Sequence, residues 1–284
     1  MILRTGPAPH WFCDPSFGQG GSEFHNQYVA AKPFPYIVLD DFLDEELASF
    51  CLREFPQRPS SIREFARSQE NKKLEYKPET LSPSFRSLFY AFNSAPFIQF
   101  LQNLTGIKGL IPDPYFGGGG LHEVANGGHL SIHADFNHHR EMDLERRINV
   151  LIYLNRDWKE EYGGCFEIWD RSMSERSLRV VPLFNRCVIF NTSSTSFHGN
   201  PDPVNHPEGA SRRSIALYYY TATWDRSRRE HSTQFRVRPD SRDEFDLSVR
   251  LDEIASELAP PIALRAVRRL INGVRRRLTV DTYG

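Results

Sequence analysis

Apolar and polar positions change their spacing partway along the chain, and the change divides it. In the first part, FRSLFYAF and PFIQFLQNLTG repeat apolar residues at helical spacing, which predicts two helices able to cover a sheet. Ahead of them PYIVLD reads as a strand, and Asp44 stands where an N-cap would start a helix running to Phe55. The intervening QRPSSIREFARSQENKKLEYKPETLSPS is polar and broken by prolines, so its composition predicts a loop. The residues before PYIVLD, rich in Gly, Pro and aromatics, predict an irregular arm over 1–34. From Gly117 onward the pattern becomes short strands separated by Gly, Pro and Asn turns, the spacing of a sandwich or barrel. No internal repeat is present.

Within the strand-like part, SIHADFN carries His133 and Asp135 two residues apart. In an extended strand such residues point the same way and can bind one ion together. A third ligand must then come from a distant strand, and His198 in TSFHGNP offers one. Two histidines and a carboxylate can occupy one face of an Fe(II) octahedron and leave three positions open. Downstream, RRSIALYYYT predicts a strand with Arg212, Ser214, Ala216, Tyr218 and Tyr220 on one face. An arginine facing into a barrel is costly unless it meets an anion, and its planar fork suits a carboxylate. In RINVLIYLNRDW, Asn149, Leu151 and Tyr153 share a face, and Tyr153 can donate a hydroxyl. Iron ligands beside a buried arginine and tyrosine describe a site for a dicarboxylate that also chelates metal. A one-residue slip would put Arg213 in place of Arg212; the Arg-x-Ser spacing, which sets both polar groups on one face, favours Arg212.

The segments HADFN, RRINVLIYLNRDW, EYGGCFEIWD, PLFNRCVIFNT, FHGNP and RRSIALYYYT, in that order, span Gly119 to Thr221. Together they resemble the Fe(II)/2-oxoglutarate-dependent dioxygenases, specifically the prolyl 4-hydroxylase-like branch. PFPYIVLDDFLDEELASF resembles the strand and helix that open such domains. The resemblance implies a mainly β fold with α, a double-stranded β-helix (jelly roll) core with N-terminal supporting helices, to which the chain's own apolar spacing adds a C-terminal helix. It implies that His133, Asp135 and His198 bind iron and form the catalytic centre. Arg212 and Ser214 would hold the distal carboxylate of 2-oxoglutarate, with Tyr153 as a supporting hydroxyl. The implied cofactors are Fe(II), 2-oxoglutarate as cosubstrate and O2, with ascorbate as a reductant. The implied reaction hydroxylates an unactivated C–H bond and releases succinate and CO2. A carboxylate at Asp135, where related halogenases have a small residue, implies hydroxylation. Prolyl hydroxylases often carry a tyrosine ahead of the first iron-binding histidine; here LHEVANGGHLSIH has Glu123 near that position. The substrate class therefore stays open between a peptidyl or free amino acid, a glycan and a natural-product intermediate.

Candidates for the substrate side follow from position. His129 and His122 precede the ligand strand and can line its mouth; Asn137 faces the site if the strand continues past Asp135. Tyr218 shares the face of Arg212, a placement that also fits core packing. His138 and His139 read as solvated loop residues, Gly163-Gly164 as a turn rather than a phosphate loop, and Trp169 as core.

Composition narrows the classes. Apolar and charged fractions of 39% and 25% are those of a soluble globular protein, and the length allows one large domain or two small ones. A formal net charge of −1 gives no global electrostatic case for nucleic acid. Cys13, Cys51, Cys165 and Cys187 are scattered, which argues against a zinc ribbon or a disulfide framework and fits a reducing compartment. The first residues lack a signal-peptide pattern and no apolar run approaches membrane-spanning length, so cytoplasm is the expected location. The pattern divides the chain into the arm 1–34, a strand with supporting helices at 35–116, the core at 117–225, a linker or helical extension at 226–259 and a basic amphipathic helix at 260–284. In that last helix Leu264, Val267, Ile271, Val274 and Leu278 form one stripe among arginines, and Gly273 weakens it. It packs on the barrel or a partner chain, or lies on an anionic lipid surface or an acidic partner. Two other classes stay open: a non-catalytic cupin-like binding module, which would not need a dicarboxylate anchor, and a zinc hydrolase, for which no His-Glu-x-x-His helix is present.

Overall fold

A computed structural model describes residues 15–57, 64–241 and 243. The chain starts with 3-10 turns at Pro15–Phe24 and a short helix, α1 (His25–Ala30). Then follow β1 (Tyr36–Leu39), α2 (Glu45–Arg53), β2 (Glu64–Arg67), β3 (Glu70–Tyr76), α3 (Pro83–Phe92) and α4 (Ala95–Thr105). The strand-rich part comprises β4 (Ile111–Pro112), β5 (Gly120–Ala134), β6 (His138–His139), β7 (Leu144–Tyr153) and β8 (Phe166–Trp169). It closes with β9 (Arg176–Val180), β10 (Cys187–Asn191), β11 (His198–Asn200), β12 (Arg212–Thr221) and β13 (Gln234–Phe235).

Neighbouring strands run in the order β1-β10-β7-β12-β5-β11-β8-β9, and all pairings are antiparallel. The long β5 makes the sheet curl. Its first residues, Gly120 to Val124, pair with β12, whereas Leu130 and His133 pair with β11. Between them Gly127 has φ +81°, and a Cβ on Gly128 would stand 2.8 Å from the carbonyls of Ala125 and Asn71, so glycines permit the bend. One strand thus serves both halves of a curled antiparallel sheet, the half-barrel of the expected jelly roll.

The helices cover the outer face of the β1-β10-β7-β12 half. Asp44 caps α2 by accepting the Glu46 N–H (2.9 Å), as expected, and Ser82 caps α3 through the Phe85 N–H (3.3 Å). From α3 and α4, Phe85, Phe89, Phe92, Phe97 and Phe100 are fully buried against Ile148, Val150, Ile152, Ile215 and Tyr219. Alternation along β7 and β12 sends these residues outward and their neighbours into the barrel.

Three expectations are corrected. The stretch expected to be a loop folds as the β2–β3 hairpin, with β3 paired to β5. Its charged composition hides a period-two pattern, and β5 supplies the backbone hydrogen bonds that local sequence cannot reveal. The arm is not irregular throughout: from Pro15 it is helical and lies against α4, where a Cβ on Gly21 would be 2.2 Å from the Phe100 carbonyl. The segment expected to be a linker forms β13, which pairs with Ala134 and His133 of β5. The basic helix expected at 260–284 lies outside the described residues. Among the described residues no helix is long and apolar enough to cross a membrane.

Candidate active site

Direct cross-strand partners project to the same face of a sheet. Glu75, His122, Ser214 and Tyr153 form one continuous row across β3, β5, β12 and β7. The adjacent row, Tyr76, Leu121, Ile215 and Ile152, belongs to the core under the helices. The first row therefore faces the barrel interior. Lys73, Val124 and Arg212 form the next inward row.

At the far end of β5, His133 is the direct partner of His198 on β11, with ring centroids 4.6 Å apart. Asp135 follows immediately after the strand. Its carboxylate lies 3.7 Å from His133 Nε2 and 3.4 Å from His198 Nε2, and one ligand atom from each of the three falls within 4.8 Å of the others. Each histidine bonds through Nδ1 to the carbonyl two residues before it, Ser131 and Ser196, at 2.8 Å. Donation from Nδ1 leaves Nε2 as the free ligand atom on both rings. Burial lowers the His198 pKa, although the Asp135 charge opposes it, so the ring stays neutral as a ligand must.

Asp135 is clamped from behind. Asn149 Nδ2 donates to its Oδ2 (2.8 Å), and Arg146 Nη2 lies 3.1 Å from the same oxygen. Burial would raise the Asp135 carboxyl, but the Arg146 charge, with hydrogen bonding from the two histidines beside it, outweighs it and holds the pKa well below the usual carboxylate range. The Arg146 guanidinium is itself fixed between the rings of Tyr218 (3.6 Å) and Phe136 (4.4 Å).

Further along the inner face, Arg212 is buried and donates Nε–H to the Gly164 carbonyl (2.7 Å). Among the described residues it has no carboxylate partner, and burial pulls its pKa down. Its guanidinium stands 4.8 Å from the Tyr153 ring, and the fully buried Tyr153 hydroxyl has no hydrogen-bond partner. Burial pushes that phenol up to about 12. Two imidazoles presenting Nε2 beside a carboxylate suit one Fe(II), and an unmatched arginine beside an orphaned hydroxyl suits a carboxylate. The residues present therefore fit both an iron ion and 2-oxoglutarate.

Residues 119–220 match the family described as the 2OG-Fe(II) oxygenase superfamily. The core of this chain is similar to that superfamily. Its fold is similar to that of a prolyl hydroxylase from Trichoplax adhaerens, solved in complex with a hypoxia inducible factor oxygen degradation domain peptide fragment. That likeness has a TM-score of 0.51 at 16% identity and covers 71% of this chain and 91% of the other. A Pseudomonas putida prolyl-4-hydroxylase is also similar (TM-score 0.48, 15% identity, 71% and 98% covered). So is a prolyl 4-hydroxylase from Phytophthora capsici (0.45, 19%, 71% and 62%). No curated protein matches the chain in sequence.

The strand core brings together His133, Asp135 and His198, and, further along the same face, Arg212, Ser214 and Tyr153. Arg213 turns to the opposite face, over the Phe55 ring and 3.6 Å from Glu123, so the register is the one Arg-x-Ser favours. Glu123 also faces outward, accepting from Tyr76 Oη (2.7 Å). Gly164, in a turn with φ +62°, has room for no Cβ: one would stand 2.9 Å from Arg212 Cδ.

The substrate-side candidates disperse. Asn137 does not line the site, because its amide bonds the backbone of Arg229 (3.0 Å) and His231 (3.0 Å) and ties the C-terminal extension down. His129 bonds the Ser68 carbonyl (2.9 Å) and anchors the hairpin. Tyr218 faces the interior, with its hydroxyl on the Gly118 carbonyl (2.9 Å). His138 is not solvated: it stacks on Trp224 (4.4 Å) and pairs with Asp143 (2.9 Å), since β6 folds back on β7.

Arg146 and the inward charges of β3 escaped the sequence reading. Strict alternation from Tyr153 and Asn149 would send Arg147 inward. A register shift opposite Tyr219 and Tyr220 brings Arg146 in instead, while Arg147 reaches Thr221 (3.2 Å). For β3, the alternation of Lys73 and Glu75 with Leu74 and Tyr76 was an available signal.

Proposed function

We propose that the protein is an Fe(II)- and 2-oxoglutarate-dependent dioxygenase that hydroxylates an unactivated C–H bond of a small-molecule or peptidyl substrate, releasing succinate and CO2. The observation that carries this reading is the presence on one inner face of a two-histidine, one-carboxylate cluster and an unmatched arginine–tyrosine pair. His133, Asp135 and His198 would hold the iron; Arg212 and Ser214, with the Tyr153 hydroxyl, would hold the far carboxylate of 2-oxoglutarate. When bound, iron and its cosubstrate supply the oxidising chemistry, and the protein supplies binding and orientation. Asn149 and Arg146 fix Asp135 so that its other oxygen is presented to the metal. Phe190 and Phe166 flank His198, at 4.5 and 5.9 Å between ring centroids, and keep water from that side. Ascorbate would serve as reductant.

A cupin-like binding module would have no use for the buried Arg212–Tyr153 pair. A zinc hydrolase would have none either. Purified protein incubated with Fe(II), 2-oxoglutarate and air is expected to release succinate in an iron-dependent manner. Zinc-supported activity without 2-oxoglutarate consumption would overturn the reading.

A further inference from the structure

Strand β3 sets charged side chains on the inner face beside the oxygenase site. Lys73 Nζ lies 2.9 Å from Glu70 Oε1 and 2.8 Å from Glu75 Oε1. One ammonium thus serves two carboxylates, and all three side chains are largely buried. His122, 3.8 Å from the same Glu75 oxygen, adds no charge, because burial lowers its pKa well below the ordinary value, with the Lys73 charge acting in the same sense. Among the described residues the second oxygen of Glu75, Oε2, has no hydrogen-bond partner.

A separate observation points into the same interior. Asn200 is the direct partner of Leu130 on β5, which pairs in turn with Glu70 on β3, so Asn200 shares the face of Glu70. It is 4% exposed, and its Nδ2 is buried without a partner. A buried amide donor left unmatched costs free energy that a bound acceptor would recover. An apolar ring placed against Glu75 would strip water from a carboxylate and return nothing, a cost that selects against such a substrate.

We propose that Glu75, steadied by Lys73, is a specificity-determining residue that takes the ammonium group of a small amine-bearing substrate, an amino acid or an amino sugar. The inference rests on the oxygenase reading and narrows its substrate. An oxygen of the same molecule, a carboxylate or hydroxyl, is the matching acceptor for Asn200.

The test uses the iron-loaded protein with 2-oxoglutarate and a panel of free amino acids and amino sugars, each beside its N-acetylated counterpart. The expected result is that members of the panel raise succinate release and are consumed, while their acetylated forms do neither. Which half of the panel responds distinguishes the two sources of the amine. In Glu75→Gln the KM for the responding amine should rise about tenfold or more, the loss of one hydrogen bond to a charged group. Glu75→Asp should recover part of it. Calorimetric binding of 2-oxoglutarate to each variant shows that it is folded. Equal response to the acetylated forms, an unchanged KM in Glu75→Gln, or no response to any amine while 2-oxoglutarate still binds would overturn the proposal alone. Failure of the wild-type protein to bind 2-oxoglutarate would overturn the oxygenase reading and this inference with it.

Discussion

His133 and His198 are direct cross-strand partners, and each bonds through Nδ1 to the carbonyl two residues before it. The two rings are therefore turned by the same local device on strands far apart in sequence, and both present Nε2 to one point. Removing either leaves two ligands, which hold iron poorly. His133→Ala and His198→Ala are each expected to lose most of the bound iron, measured by elemental analysis after desalting. Undiminished iron in both would remove the assignment. In Asp135→Gly, hydroxylation should collapse.

Arg212 and Arg213 are adjacent but point to opposite faces. If Arg212 grips 2-oxoglutarate, Arg212→Ala should raise the KM for 2-oxoglutarate roughly thirtyfold or more, the loss of a charge-assisted contact worth about 2–5 kcal/mol. Iron content should hold. Arg212→Lys should recover only part, because a point charge cannot reproduce the fork. Arg213→Ala should change little, and 2-oxoglutarate saturation curves of the two alanine variants rank them.

Arg146 holds Asp135 ionised, and its removal has a signed consequence. A depressed carboxyl pKa in the folded protein contributes stability and metal affinity that are present above the unfolded pKa and lost as pH falls through the folded one. In Arg146→Gln the carboxyl pKa rises, so protons compete with iron sooner. The pH at which half the iron is released should move upward, and activity should fall about 10–100-fold. A release curve identical to wild type would show that Arg146 does not govern the ligand.

Glu167 is a fully buried carboxylate held by Arg179 Nη1 (2.7 Å), Arg176 Nη1 (3.0 Å) and Trp169 Nε1 (3.0 Å). Arg179 continues to Asp202, which Arg238 also grips, so the network fastens the C-terminal extension to β8 and β9. Glu167→Ala takes away the carboxylate that Arg176 pairs with, while Arg179 keeps Glu160 and Asp202, and should cost about 1–3 kcal/mol of stability in denaturant titration. Hydrogen exchange should accelerate around Gln234 and Phe235, which lie against β5. Unchanged protection there would separate the network from the extension.

Much of the site was legible in the sequence because its parts obey local rules. His133 and Asp135 are two apart on a strand, Arg212 and Ser214 likewise, and Asn149 and Tyr153 four apart, so period two alone put each set on one face. The helices of the outer layer followed from apolar spacing, and Asp44 from cap chemistry. What the sequence left open depends on residues meeting from distant segments. The partnership of His133 with His198, the register shift that turns Arg146 inward, and the docking of β3 on β5 are set by backbone pairing between strands, whose hydrogen bonds have no local signature. A polar stretch such as ENKKLEY reads as loop until another strand supplies its partners. Asn137 shows the converse: even spacing aimed it at the metal, but the incoming chain at Arg229–His231 offered its amide a donor and an acceptor, and those bonds decided where it points.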